Sequence, residues 1–174
     1  MSKLFRTTLW ILSGVGLIAF LVQTLSTFLI SPLMGLLSLL IAAVLVAMVI
    51  FLLQRSPMWA RPARLWAALA FLWGGGVAVA LALISSGPVM QLAIGTGWVD
   101  AMMSWSGAYP EEISKATGVI FVLMSFRQLN RPWHGWIVGA VVGLGFEACE
   151  NILYGAMGAT MHPDSDIQGL FEMW

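Results

Sequence analysis

The stretch from Leu33 to Leu53 is an apolar run of about 20 residues without a single charged side chain. A helix of that length spans the hydrocarbon core of a bilayer, and similar apolar runs recur along the chain. The chain is 60% hydrophobic and 9% charged, whereas a soluble domain carries roughly 25% charged residues. We therefore predict an all-α, polytopic bundle of transmembrane helices that forms one integral membrane domain over residues 1–174.

The charge balance and the cysteine content exclude several classes of protein. Eight basic and eight acidic residues give a net charge of zero, so electrostatic capture of nucleic acid has no basis. The lone cysteine, Cys149, excludes an internal disulfide framework. The expected surroundings of the chain are the lipid bilayer and other membrane proteins.

Hydropathy and helix breakers predict about five spans. We place them at residues 9–30, 33–54, 65–85, 111–126 and 135–159. Ser31-Pro32 separates the first two spans, because proline lacks the backbone donor and disfavours helix in the preceding residue. Residues 86–110 are interrupted by Gly87-Pro88 and further glycines, which predicts an interfacial or re-entrant segment. Residues 160–174 are expected to form an acidic tail.

The basic residues predict the orientation. All of them except Lys115 lie in the N-terminal segment, in the loop between the second and third spans, or in the loop between the fourth and fifth. Five spans place these three segments on one side of the membrane. The positive-inside rule then predicts that the N-terminus is cytoplasmic and that the C-terminal tail lies outside.

Five charged residues fall within the predicted spans, where each is costly unless it has a partner or a function. They are Glu111, Glu112, Lys115, Glu147 and Glu150. Helix geometry places Glu147 and Glu150 roughly 18 and 22 Å above the inner end of the last span, and Glu112 at roughly the same height on its neighbour. Two neighbouring spans are therefore expected to present carboxylates at one level, in the outer half of the membrane.

The last span is expected to carry a polar, packed face. Glu147 and Glu150 are three residues apart, and Asn151 and Tyr154 extend the same face outward. Gly139 and Gly143 form a GxxxG pair that permits close approach of a neighbouring helix.

The same residues also have purely structural interpretations. Pro110 with Glu111 and Glu112 is also a common way to begin a helix, and Glu111 with Lys115 is a favourable i,i+4 pair. Glu147 and Glu150 could form a hydrogen-bonded pair without function. His162, in the tail, is a weak candidate metal ligand that would have to fold back toward the glutamates.

Two stretches resemble a known family. The stretch Glu111-Glu112-Ile113-Ser114-Lys115 resembles the EExxK motif of PrsW-type intramembrane metalloproteases, and Gly143–Tyr154 resembles the glycine-rich helix with Glu-Asn that follows it in that family. The resemblance covers about residues 105–160. The EExxK motif alone also recurs in CAAX-processing membrane proteases, which are a more distant likeness.

The resemblance implies a protease of the bacterial cytoplasmic membrane. Such an enzyme cleaves a single-span regulatory protein, for example an anti-sigma factor, near the outer membrane face. The implied catalytic residues are Glu111, Glu112 and Glu150, with either Glu111 or Glu112 as the general base. The implied supporting residues are Lys115, Glu147, Asn151 and Tyr154.

The resemblance also implies a divalent metal, most simply zinc. Its candidate ligands here are Glu150, Glu147 and His162, and the family is expected to carry further metal-binding histidines in later helices. Two other functions are compatible with paired intramembrane carboxylates, namely proton- or cation-coupled transport and an inactive scaffold that binds a membrane partner.

Overall fold

The structure is a computed structural model that describes residues 3–173. Of the chain, 85% is helical, and the described residues contain no strand. The predicted all-α bundle of membrane helices is confirmed. Residues 1, 2 and 174, which the predicted domain and tail include, lie outside the described residues.

The helices follow one another with short connections. They are α1 (Lys3–Ile30), α2 (Pro32–Arg55), α3 (Arg64–Leu72), α4 (Val79–Gly95), α5 (Met102–Ser106), α6 (Ala108–Ser125), α7 (His134–Met161) and α8 (Asp166–Met173). A π-helical segment, Trp73–Ala78, joins α3 to α4 without a break, and a single 3₁₀ turn, Val99–Ala101, precedes α5. Pro32 occupies the first turn of α2, where the missing proline donor leaves no hydrogen bond unmade.

Within residues 3–173, four helical stretches are long and apolar enough to cross a membrane, namely α1, α2, the continuous stretch Arg64–Gly95, and α7. The predicted fourth span corresponds to α6, which contains Glu111, Glu112 and Lys115 and is therefore less apolar than the others. It packs in the bundle against α1, α4 and α7. α6 and α7 run antiparallel, since Val119 lies beside Gly139 and Leu123 lies beside Gly135.

The third span differs from the prediction because its helix continues to Gly95 instead of ending at residue 85. Gly87 and Pro88 lie inside α4, where the hydroxyls of Ser85 and Ser86 donate to the carbonyls of Leu81 and Ala82. Pro88 leaves the carbonyl of Ile84, four residues earlier, without its helical donor, and membrane helices tolerate a proline of this kind in their interior. Of the predicted interfacial or re-entrant segment 86–110, residues 86–95 therefore belong to α4 and residues 108–110 to α6. Only residues 96–107 separate these two helices.

The acidic tail also contains more structure than the sequence suggested. Its helix α8 docks on α7, where Leu170 is fully buried beside Ala159 and Met34. The backbones of Gly158 and Gly169 meet so closely that a Cβ on either glycine would overlap the other helix.

The core lies along α7 and the stretch from α3 to α4, and glycines allow the helices to touch there. Gly76 contacts the backbone of Gly16 in α1, while Gly75 contacts Gly145 in α7. The largest fully buried side chains in this core are Trp66, Trp73 and Phe146. In contrast, α1 and α2 expose many leucine, isoleucine and valine side chains, as expected for helices that face lipid.

Candidate active site

A cavity of about 320 Å³ lies between α4, α6 and α7. Its polar lining consists of Glu111 from α6, Glu150 and Tyr154 from α7, Ser86 from α4 and Gln23 from α1. The remaining lining is apolar and comprises Val79, Ala82, Leu83, Phe146, Leu153 and Met157. The structure thus brings together one carboxylate from each of the two acidic helices, in a largely apolar chamber that we call the acidic cavity.

Lys115 joins the two acidic helices. Its Nζ donates a hydrogen bond of 3.0 Å to Glu112 Oε1 and lies 3.9 Å from Glu111 Oε2. The same ammonium lies 3.8 Å from the centroid of the Phe146 ring on α7, where it makes a cation–π contact. Only 15% of the Lys115 side chain is exposed, so the cation is held between the carboxylates of α6 and the surface of α7.

The two glutamates of the EExxK stretch differ in exposure. Glu111 is 29% exposed and lines the acidic cavity, whereas Glu112 is 70% exposed and does not contribute to its lining. Consecutive residues of a helix point about 100° apart, so α6 can direct only one of the two into the cavity. The geometry distinguishes the two residues, which the sequence pattern left equivalent.

Glu150 is held by its own helix. The hydroxyl of Tyr154, one turn further along α7, donates to Glu150 Oε1 over 3.4 Å. Glu111 of α6 lines the same cavity. The neighbouring Asn151 is half-buried. The side chain of Glu150 is therefore positioned by Tyr154 in a cavity that it shares with Glu111 of the neighbouring helix.

The prediction of a packed face on α7 is wrong for Glu147 and Gly143. Glu147 is exposed, and a Cβ placed on Gly143 would meet no neighbouring atom within 4 Å. The close packing of α7 occurs instead through Gly145, which abuts the backbone carbonyl of Phe71. Gly145 is two residues from Gly143 and thus lies on another side of the helix, so of the predicted GxxxG pair only Gly139 faces a neighbouring helix, in ordinary contact with Val119.

His162 lies in the turn between α7 and α8 and is not part of the lining of the acidic cavity. Its Nδ1 accepts hydrogen bonds from the backbone N–H groups of Asp164 and Ser165, at 3.2 and 3.0 Å. Its Nε2 lies 3.8 Å from Glu172 of α8. These contacts give His162 a role in shaping the turn that docks α8.

The acidic cavity offers an incomplete set of ligands for a metal. Catalytic zinc sites use three protein ligands and leave a fourth position for water or substrate. Glu111 and Glu150 supply two carboxylates, but within residues 3–173 no group of three His, Cys, Asp or Glu side chains could hold a metal ion. These residues therefore do not by themselves satisfy the requirements of a zinc centre.

Sequence reasoning missed Trp73, Gln23 and Ser86. Trp73 belongs to the π-helical segment, and its indole N–H donates a 3.0 Å hydrogen bond to the carbonyl of Ser114 on α6. The Gly74-Gly75-Gly76 run was the available signal, because three consecutive glycines in an apolar span indicate a site of close backbone approach.

A comparison of the sequence with models of protein families finds a matching family. The model described as "PrsW family intramembrane metalloprotease" matches residues 62–174, a range that contains α3, α4, α6, α7 and both acidic stretches. No curated protein and no solved structure matches the chain. Because the family model covers well over half of the sequence, the chain belongs to the PrsW family of intramembrane metalloproteases.

Proposed function

We propose that the acidic cavity is the hydrolytic centre of this intramembrane protease. The observation that carries the proposal is that Glu111 and Glu150, from antiparallel neighbouring helices, line one cavity within the membrane-spanning bundle. Intramembrane ionisable residues are expensive and are functional by default. Peptide hydrolysis requires such groups, because an attacking water must lose a proton and the leaving amine must gain one.

Glu111 is the better candidate for the general base. It lines the cavity, whereas Glu112 is exposed and accepts a hydrogen bond from Lys115. In this arrangement Lys115 is a positioning residue that holds the carboxylates of α6 in place. Glu150, oriented by the hydroxyl of Tyr154, faces the same space and would hold a water molecule from the opposite side.

Membership of the family implies a metal cofactor, which would supply Lewis-acid chemistry when bound. Glu150 is the candidate ligand on α7. The exposed side chain of Glu147 and the turn-bound side chain of His162 do not share the cavity lining with it. A zinc ion at this position would need ligands in addition to Glu111 and Glu150.

The substrates of an intramembrane protease are membrane proteins. We propose a single-span regulatory protein of the bacterial cytoplasmic membrane, such as an anti-sigma factor, as the substrate. Two features support a site near the outer face: Glu111 lies in the first turn of α6, and the loops that carry the arginines lie at the other end of that helix. The apolar walls of the cavity suit a peptide segment that arrives from lipid.

The experiment is cleavage of anti-sigma factors from the same genome after co-reconstitution with the full chain in proteoliposomes. We expect Glu111→Gln and Glu150→Gln to abolish cleavage. Glu112→Gln and Glu147→Gln are matched controls on the same two helices, and they should retain most of the activity.

Full cleavage by Glu111→Gln or Glu150→Gln would remove the acidic cavity from the mechanism. Proton or cation flux through the same proteoliposomes, without any proteolysis, would favour the transport function instead.

A further inference from the structure

The basic residues of this protein fall into two groups according to their contacts. Arg55 lies 3.4 Å from the ring centroid of Phe51, Arg131 lies 5.8 Å from that of Trp133, and Lys115 pairs with glutamates. The other five are exposed and make neither an ion pair nor a cation–π contact within residues 3–173. These five are Lys3, Arg6, Arg61, Arg64 and Arg127.

All five unpaired cations line two adjoining cavities at the end of the bundle opposite the glutamates. One cavity, of about 460 Å³, is lined by Lys3, Arg6 and Arg127, and the other, of about 1080 Å³, by Arg61 and Arg64. The cavities share Leu65, Phe126 and Gln128, and no acidic residue of the described chain lines either one. We call the two together the basic pocket.

The two connecting segments that carry Arg61 and Arg127 are fixed in place, while the other three cations belong to helices α1 and α3. Gln128 Nε2 donates a 3.2 Å hydrogen bond to the carbonyl of Pro62 and so ties the 126–133 loop to the 56–63 loop. Trp66 Nε1 donates to the carbonyl of Ala60 over 3.0 Å and anchors the second loop to α3. The basic pocket is therefore a preformed feature of the fold.

The positive-inside rule alone does not account for this arrangement. It concerns the number of basic residues near the membrane and sets no requirement that they share a cavity. Bringing like charges together raises the electrostatic energy unless an anion offsets it. Arginine guanidinium groups bind phosphate oxygens through paired hydrogen bonds, so a phosphate is the anion that this pocket suits best.

We propose that the basic pocket binds the phosphate headgroup of an anionic phospholipid. The rim of the pocket favours a lipid over a soluble anion, since Trp10 and Leu65 line it and remain 48% and 47% exposed. Their exposed apolar surface lies beside the cations, where it would contact the acyl chains of a bound lipid. Basic pockets between membrane helices on the cytoplasmic side bind lipid headgroups in this way.

The test compares two double variants of the full chain in phosphatidylcholine nanodiscs that contain a minor fraction of phosphatidylglycerol. Arg64→Gln with Arg127→Gln removes two pocket residues. Arg55→Gln with Arg131→Gln is the matched control, because it removes the same charge from the ends of the same two connecting segments. Retained phosphatidylglycerol is counted by native mass spectrometry after detergent washing, and glycerol phosphate serves as the soluble competitor.

We expect the affinity for phosphatidylglycerol to fall roughly tenfold in the pocket variant and to stay near that of the parent chain in the control. Millimolar glycerol phosphate should not displace the lipid. An equal loss of phosphatidylglycerol affinity in both variants would indicate that the lipid responds to the overall positive charge of this end of the bundle, and it would overturn the proposal. Unchanged affinity in both variants would overturn it as well. Displacement by glycerol phosphate would identify a soluble phosphate as the ligand and would overturn the lipid assignment.

Discussion

The indole N–H of Trp73 donates a hydrogen bond of 3.0 Å to the backbone carbonyl of Ser114. Trp73 lies in the π-helical segment, while Ser114 precedes Lys115 on α6. The Trp73 ring also stacks on Phe121, with centroids 5.2 Å apart. These contacts fix the height and rotation of α6, and thereby the direction in which Glu111 points.

Replacement of Trp73 by phenylalanine tests this positioning. Trp73→Phe removes the buried hydrogen bond and leaves space beside the smaller ring, so it should lower the free energy of unfolding by about 1–3 kcal/mol. Trp66→Phe is the control, because it removes an equivalent buried indole bond to Ala60 at the basic end. At equal amounts of folded protein, only Trp73→Phe should reduce the rate of substrate cleavage. Equal rates in the two variants would argue against control of α6 by Trp73.

The glycines differ sharply in the space around them. A Cβ at Gly118 would overlap the Trp73 ring, whereas a Cβ at Gly143 would meet nothing within 4 Å. Gly118→Ala should therefore destabilise the protein by about 1–3 kcal/mol through overpacking. Gly143→Ala should be neutral or slightly stabilising, because alanine favours a helix interior. Thermal unfolding in detergent measures both, and equal effects would contradict the packing described for α6.

Loss of the Lys115 charge is expected to disturb the acidic cavity. Lys115→Gln retains a polar side chain but removes the cation between Glu112, Glu111 and the Phe146 ring. Because the carboxylates are partly exposed, stability should fall by only about 1 kcal/mol. Cleavage should fall much further, since the α6 carboxylates lose their positioning partner. Recovery of activity in Lys115→Arg would confirm that the positive charge is what matters, and unchanged cleavage in Lys115→Gln would refute the positioning role.

Metal content provides a separate test of Glu150. We expect chelation to abolish cleavage by the purified protein, and we expect Glu150→Gln to contain less bound metal than the parent chain. Glu147→Gln, whose side chain is exposed, should bind as much metal as the parent. Elemental analysis of the purified variants gives the stoichiometry. The same metal content in all three proteins would exclude Glu150 as a ligand.

Much of the fold follows from hydropathy, because a bilayer admits few alternatives to long apolar helices. The bounds of α2 and α7 agree closely with the predicted spans. The continuation of α4 past Pro88 was missed, because Gly87 and Pro88 are helix breakers in water, whereas a membrane helix tolerates them in its interior. The docking of α8 depends on the contact between Gly158 and Gly169, which no local pattern reveals.

The candidate site was only partly predictable. Helix rise along two neighbouring spans placed Glu112 and Glu150 at matching heights, and the structure brings Glu150 together with Glu111. Rotation about the helix axis is set by tertiary contacts such as Trp73 with Ser114, and it decides which glutamate of each pair turns inward. The exposure of Glu147 and Glu112 could therefore not be read from spacing.

The π-helical turn at Trp73–Ala78 has a consequence for the helix beyond it. A π turn accommodates one more residue than an α turn, so it offsets the rest of the helix by about 100° from its uninterrupted course. In the resulting register Ser86 lines the acidic cavity with Glu111 and Glu150, while Ser85 lines a separate apolar groove together with Ile113. Deletion of one glycine would restore plain α-helical winding and keep Ser86 in the acidic cavity, whereas the intact stretch wound as a plain α-helix would turn α4 by about 100° and take Ser86 out of it.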